Sequence, residues 1–116
     1  MIAFREHGMQ AFFVYVTAPD IQCAGKIAEA LVAERLAACA NILDGMESVY
    51  WWQGTLEHGK ECILICKCTA ERYPALEKRI CELHPYDTPC IVALPIQQGY
   101  APFMRWLEEE SRPSGQ

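Results

Sequence analysis

The sequence lacks the long apolar run, of about 18 residues, that a membrane-spanning helix needs. Residues 1–10 mix Arg5, Glu6 and His7 and lack the apolar core of a secretion signal. There is no basic cluster, and the formal net charge is −5, which argues against nucleic acids and anionic membranes as partners. We therefore expect a cytoplasmic protein without a membrane span.

Cysteine pairs of the CxxC type, which are typical of zinc sites, are also missing. The seven cysteines are odd in number and lie in apolar segments, so we interpret most of them as reduced core thiols. No glycine-rich phosphate loop and no Ser-His-Asp or Cys-His arrangement is visible. These absences predict a protein that is not an enzyme and has no organic cofactor.

The chain is organised around residues 39–68, which we call the ribbon. Two β-rich runs flank Gln53-Gly54, a weaker form of the Asn-Gly signal for a tight hairpin turn. This turn predicts a register in which Trp52 faces Thr55 and, at the far end, Cys39 faces Cys68. Asp44-Gly45 predicts a bulge, beyond which the pairs can slip by one residue.

The ribbon is too long for its own domain. Arms of roughly fourteen residues reach about 45 Å, whereas a compact domain of this length is roughly 35 Å across. The tip would expose an apolar patch formed by Tyr50, Trp51, Trp52 and Leu56. We infer that another subunit buries these four residues.

The rest of the chain predicts two helices and two further strands. Strands are expected at Ala11–Thr17 and Cys90–Ile96, and Pro95 in the latter implies an edge strand or a position at the strand's end. One helix follows Asp20 as N-cap, and a second opens at Pro74.

A short C-terminal helix is expected to turn Phe103, Trp106 and Leu107 inward. The order βαββαβ plus this helix predicts an α+β, ferredoxin-like fold, with an antiparallel sheet, a protruding hairpin and one bare sheet face. We expect one domain at 11–110, an N-terminal extension at 1–10 and a tail at 111–116.

Several short motifs carry a resemblance to a known family. They are Thr17-Ala18-Pro19-Asp20, residues 36–42, residues 48–54, Lys67, the loop 84–89, Leu94-Pro95-Ile96 and Trp106. In this order they resemble the CutA divalent-cation-tolerance family, over about residues 11–110. The resemblance implies a ferredoxin-like fold, a cytoplasmic homotrimer with interlocked ribbons, and an association with copper or another divalent cation.

The chain departs from the family pattern at three positions. Cys90 stands where a glutamate is common, Cys68 replaces a threonine, and Val16 replaces a cysteine proposed as a copper ligand. The trimer architecture is similar to that of PII-type signalling proteins, which bind small ligands between subunits. This analogy suggests a second function, the binding of a small anionic ligand.

Two groups of residues are candidate metal ligands. Cys81 and His84 lie three apart at a helix end and can share one side, with Cys90 as a third ligand. Alternatively, His84 stabilises the helix C-terminus. Cys62, Cys66 and Cys68 share one strand face with Cys39 opposite, a pattern that suits Cu(I) or simply a core of small side chains.

Lys67 is a candidate for ligand binding because it interrupts an apolar strand, where a buried charge needs a partner. It shares a predicted face with Glu61. We expect a structural ion pair or, alternatively, an anion contact in a cleft between subunits. Tyr50, Trp52 and Tyr86 are the expected walls of that cleft.

Overall fold

The computed structural model describes residues 9–113, which form four strands and three helices. In chain order these are β1 (Ala11–Ala18), α1 (Ile21–Ala33), β2 (Cys39–Trp52), β3 (Thr55–Thr69), α2 (Tyr73–Leu83), β4 (Ile91–Pro95) and α3 (Ala101–Glu110). The element order predicted from the sequence is confirmed. Residues 1–8 and 114–116, most of the predicted extension and half of the predicted tail, lie outside the described residues.

The strands form one antiparallel sheet in the order β2-β3-β1-β4. Along its central strands, successive side chains point to opposite faces of the sheet. Val14, Val16 and Leu64 are fully buried on one face, where they pack against Ile27 of α1 and Ile80 of α2. Both main helices therefore cover the same face of the sheet.

The opposite face, which we call the open face, carries apolar side chains that nothing in the chain fully covers. Leu43, Val92 and Leu94 are 55%, 49% and 55% exposed. Pro95 ends the edge strand β4, as predicted, where its missing N–H costs no ladder hydrogen bond.

The helix boundaries follow the local signals. Asp20 caps α1, because its carboxylate accepts a hydrogen bond from the Cys23 N–H at 2.8 Å. Pro74 lies in the first turn of α2, where the absent N–H has no helical partner to lose.

The outer half of the ribbon has the predicted register. Trp52 pairs with Thr55 and Met46 with Glu61, and both turn residues have positive φ, +49° at Gln53 and +81° at Gly54. Positive φ at both positions is the requirement of a type I′ turn.

The inner half slips by one residue at the predicted bulge. Asp44 and Gly45 together oppose Cys62, and below them Cys39 pairs with Lys67. The predicted pairing of Cys39 with Cys68 is therefore wrong. Because faces alternate along a strand, the slip also moves Cys39 to the open face, away from Cys66 and Cys68.

The ribbon gives the molecule an elongated shape, 47 Å in its longest dimension and 22 Å in its shortest. Its tip is exposed within one chain: Trp51 is 73% exposed and Trp52 53%. Leu56 and Tyr50 beside them are 49% and 46% exposed.

Helix α3 docks with a different phase from the one predicted. Met104 and Leu107 are buried against Met9, Ala11 and Ala38. Phe103 and Trp106 instead form an exposed pair whose ring centroids lie 5.5 Å apart. Only Leu107 of the three predicted inner residues is buried.

Between residues 9 and 113, no helix is long and apolar enough to cross a membrane.

Candidate functional site

A cleft of about 680 Å³ lies between the outer ribbon, β1 and the loop that follows α2. The ribbon contributes residues 46–50, Trp52 and Glu61, and β1 contributes Tyr15 and Thr17. The loop contributes Tyr86, Asp87, Thr88 and Cys90. Four of the five predicted ligand-cleft residues, Tyr50, Trp52, Glu61 and Tyr86, thus line one cavity.

Glu61 is the centre of the hydrogen bonding in this cleft. Its Oε1 accepts a hydrogen bond from the Ser48 hydroxyl at 2.7 Å, and its Oε2 accepts one from the Tyr86 hydroxyl at 3.1 Å. A carboxylate that receives two hydroxyl donors is held in one orientation and keeps further acceptor capacity. Glu61 therefore links the ribbon to the loop and still presents a negative charge to the cleft.

Tyr86 remains a neutral phenol over a wide pH range. Burial, followed by the hydrogen bond to Glu61 and its negative charge, raises the pKa of Tyr86 from 10.0 to about 12. The phenol donates to Glu61 and adds no charge of its own, so Glu61 and the neighbouring acids determine the charge of the cleft.

His84 holds the loop in place. Its Nε2 lies 2.7 Å from the Thr17 carbonyl oxygen, and its Nδ1 accepts the Tyr86 backbone N–H at 3.2 Å. A carbonyl can only accept and an N–H can only donate, so the ring carries its proton on Nε2. The His84 and Tyr86 rings also lie 4.7 Å apart between centroids.

The structure does not bring the predicted metal ligands together. Both nitrogens of the buried His84 ring are occupied, while Cys81 is exposed on α2. Cys90 lines the cleft instead. In the described part of the chain, no three His, Cys, Asp or Glu side chains gather closely enough to share a metal ion.

Cys62, Cys66 and Cys68, the three cysteines of β3, are buried core thiols. Burial raises the pKa of Cys68 to about 12, and burial with the neighbouring thiols raises that of Cys66 to about 12. Cys62 donates its proton to Asp44 at 3.0 Å, a bond that raises the pKa of Cys62 to about 11 and lowers that of Asp44. Thiols held in the neutral form are poor metal ligands.

Lys67, the fifth predicted cleft residue, lies elsewhere. Its Nζ donates to Asn41 Oδ1 at 2.9 Å and lies 3.9 Å from Cys39 Sγ, on the open face. Six residues of strand, roughly 20 Å, separate Lys67 from Glu61. Among the described residues it forms no salt bridge, so the predicted ion pair is not present within one chain.

Sequence reasoning missed Tyr15, Ser48 and Asp87 as cleft residues. Asp87 could have been predicted from the sequence, because it follows Tyr86 in the loop that carried the family resemblance. Ser48 is identified only by the ribbon register, which puts it two residues from Met46 on the face of Glu61.

The sequence profile described as "CutA1 divalent ion tolerance protein" matches residues 12–110. The "Divalent-cation tolerance protein CutA" of Thermus thermophilus is 46% identical over 98 residues, which cover 84% of this chain and 95% of that protein. The chloroplastic "Protein CutA 1" of Oryza sativa is 40% identical over 101 residues, which cover 87% of this chain but only 57% of the rice protein.

The fold agrees with a solved structure of the same kind. The divalent cation tolerance protein Cut A1 from Thermus thermophilus superposes with a TM-score of 0.86 at 44% identity, covering 88% of this chain and 99% of that one. With the family profile spanning residues 12–110, the chain belongs to the CutA1 divalent ion tolerance family.

Proposed function

We propose that this protein is a homotrimeric, ferredoxin-like binding protein that acts in the response to divalent cations such as copper by holding them weakly in the cleft around Glu61. The observation that carries the proposal is the charge of the cleft. Glu61 and Asp87 line it with carboxylates, and none of the described lining residues is basic. The proposed role is binding, without catalysis.

The donor set favours weak binding over a resident metal centre. Carboxylate and hydroxyl oxygens suit divalent cations that keep much of their water, and Ser48 and Tyr86 already orient Glu61. Because no three ligating side chains converge in the described chain, the cation would be held through one or two carboxylates and its own water molecules.

The open face and the ribbon tip support the trimer. Trp51 and Val49 are 73% and 61% exposed at the tip, and Leu43 and Leu94 are each 55% exposed on the open face. Apolar surfaces of this kind mark protein interfaces. A second copy that buries them would also enclose the cleft beside the tip.

The alternative function, a PII-like trimer that binds a small anion, has less support. Lys67 was its expected anion contact in a cleft between subunits, and within one chain Lys67 donates to Asn41 and lies outside the cleft around Glu61. An anion in the cleft would meet the carboxylates of Glu61 and Asp87 without a compensating cation.

A cytoplasmic location is part of the proposal. All seven cysteines are unpaired in the structure, as expected in a reducing compartment. Fractionation of cells that produce the protein tests this location, and recovery with the periplasmic or secreted fraction would contradict it.

Calorimetric titration of the purified protein with Mn²⁺ and Cu²⁺ tests the binding site. We expect Glu61→Gln to weaken binding, since it removes the oriented charge and keeps the size of the side chain. Glu109→Gln, an exposed carboxylate change on α3, is the matched control and should leave binding unchanged. Equal isotherms for the wild type and Glu61→Gln would refute the assignment.

Sedimentation equilibrium tests the assembly. The wild type is expected to sediment as a trimer, and replacing Trp51 and Leu56 by serine is expected to shift the mass toward the monomer. A monomeric wild type at micromolar concentration would contradict the proposal.

A further inference from the structure

The walls of the cleft are aromatic as well as acidic. Four aromatic side chains, Tyr15, Tyr50, Trp52 and Tyr86, line one cavity beside the carboxylates of Glu61 and Asp87. A hydrated metal ion gains little from aromatic walls, because its water shell keeps the rings at a distance. This apolar and aromatic surface favours a ligand that carries an apolar or flat group as well as a charge.

We propose that the cleft is a binding site for an organic cation, an ammonium or guanidinium ion carried on an apolar or flat body. The inference rests on the proposed function, since it places its ligand in the same acidic cleft. Aromatic faces attract cations through the ring quadrupole, most strongly when water is excluded. The carboxylates supply the counter-charge that such an ion requires.

The size of the cavity fits this ligand class. A volume of about 680 Å³ lies in the range of about 300–1,000 Å³ that is usual for small-molecule sites. Such sites combine apolar walls with a few placed polar groups. Here Glu61, fixed by Ser48 and Tyr86, is the placed polar group.

The same features select against other ligands. A neutral molecule of equal shape would gain the apolar contacts but leave the carboxylates without a partner. An anion would be repelled by Glu61 and Asp87. The Tyr86 hydroxyl donates its proton to Glu61, so it is not free to donate to an anion.

Choline and its neutral isostere 3,3-dimethylbutan-1-ol provide the test, because they differ in charge but hardly in shape. Each is titrated into the native oligomer in low-salt buffer and followed by ¹H–¹⁵N chemical shifts. We expect choline to bind at least about tenfold more tightly than the alcohol, with shifts at Glu61, Tyr86 and Trp52. Equal affinities, or choline shifts elsewhere, would overturn the inference.

Matched variants locate the effect. Trp52→Leu removes a cleft wall, whereas Trp106→Leu removes a ring of the same size on α3 that does not line the cleft. We expect choline affinity to fall at least about fivefold in Trp52→Leu and Glu61→Gln and to persist in Trp106→Leu, with folding and oligomeric mass checked for each. Equal losses in both tryptophan variants would overturn the inference.

Mn²⁺ separates this inference from the proposed function. If Mn²⁺ binds in a Glu61-dependent way but choline binds no better than the alcohol, the organic-cation inference fails and the proposed function stands. If neither cation binds, both fail. Displacement of choline by Mn²⁺ would support both.

Discussion

Replacing Glu61 by glutamine should lower the pKa of Tyr86. Burial is the largest cause of the rise from 10.0 to about 12, and the hydrogen bond to Glu61 and its charge come next. Glutamine removes the charge and the strong acceptor but leaves the burial. We therefore expect the pKa of Tyr86 to fall by about 1 and to stay above 10.

The assay is a pH titration followed by NMR of tyrosine labelled with ¹³C at Cζ. The chain contains five tyrosines, and Tyr86→Phe assigns the resonance. Tyr73 is an internal reference, because burial and its own partner Glu77 raise its pKa to about 12 independently of Glu61. Far-UV circular dichroism at each pH marks the limit of the folded range.

Glu57→Gln is the matched control, because Glu57 lies on the same strand and face but pairs with Tyr50 and does not line the cleft. It should leave the pKa of Tyr86 unchanged. An unchanged pKa of Tyr86 in Glu61→Gln, or an equal fall in both variants, would show that Glu61 does not raise this pKa.

Three further predictions concern stability. Because burial keeps Cys66 protonated to about pH 12, the folded state holds a proton that the unfolded chain loses above pH 9. Urea melts should show the free energy of unfolding fall as pH rises from 9 to 12. In Cys66→Ala the slope of this fall against pH should be smaller by up to about 1.4 kcal/mol per pH unit, and an equal slope in the wild type and the variant would contradict the prediction. Leu64 is fully buried, so Leu64→Ala should lower the free energy of unfolding by about 2–5 kcal/mol in urea melts, and a loss below about 1 kcal/mol would contradict its place in the core. Asp20→Ala should cost about 1 kcal/mol by the same measurement through loss of the α1 cap, and no loss would show that the cap is dispensable.

The sequence was sufficient wherever local signals decide the structure. Gln53-Gly54 predicted the hairpin turn, and the turn predicted the outer register that brings Tyr50 and Glu61 to one face. Asp20 and Pro74 predicted the starts of α1 and α2. In each case a few adjacent residues determine the geometry.

The misses arise where distant contacts decide. Asp44-Gly45 predicted a bulge, but the register below it follows from Asp44 and Gly45 together facing Cys62, whose thiol bonds to Asp44. In α3, the spacing of Phe103, Trp106 and Leu107 fits one helix face as well as Met104 and Leu107 fit another. Docking against Met9, Ala11 and Ala38 selects the second face.

Only part of the site was predicted, because its other parts also depend on contacts between residues that are distant in the sequence. The family motifs placed Tyr86 and the ribbon face placed Glu61. Lys67 lies six residues along β3 from Glu61, and it was expected in the cleft only through contacts between subunits. His84 was expected to turn toward Cys81 as in a continuing helix. It instead ends α2 with extended backbone, φ −81° and ψ 138°, and its ring reaches Thr17.

Paramagnetic broadening of the amide resonances of the native protein by Mn²⁺ tests whether a divalent cation binds around Glu61. We expect Glu61, Ser48 and Asp87 to broaden at the lowest Mn²⁺ concentration, and Glu61→Gln to abolish this selectivity. Broadening that begins at Lys67 on the open face, or at the acidic end of α3 at residues 108–110, would contradict it.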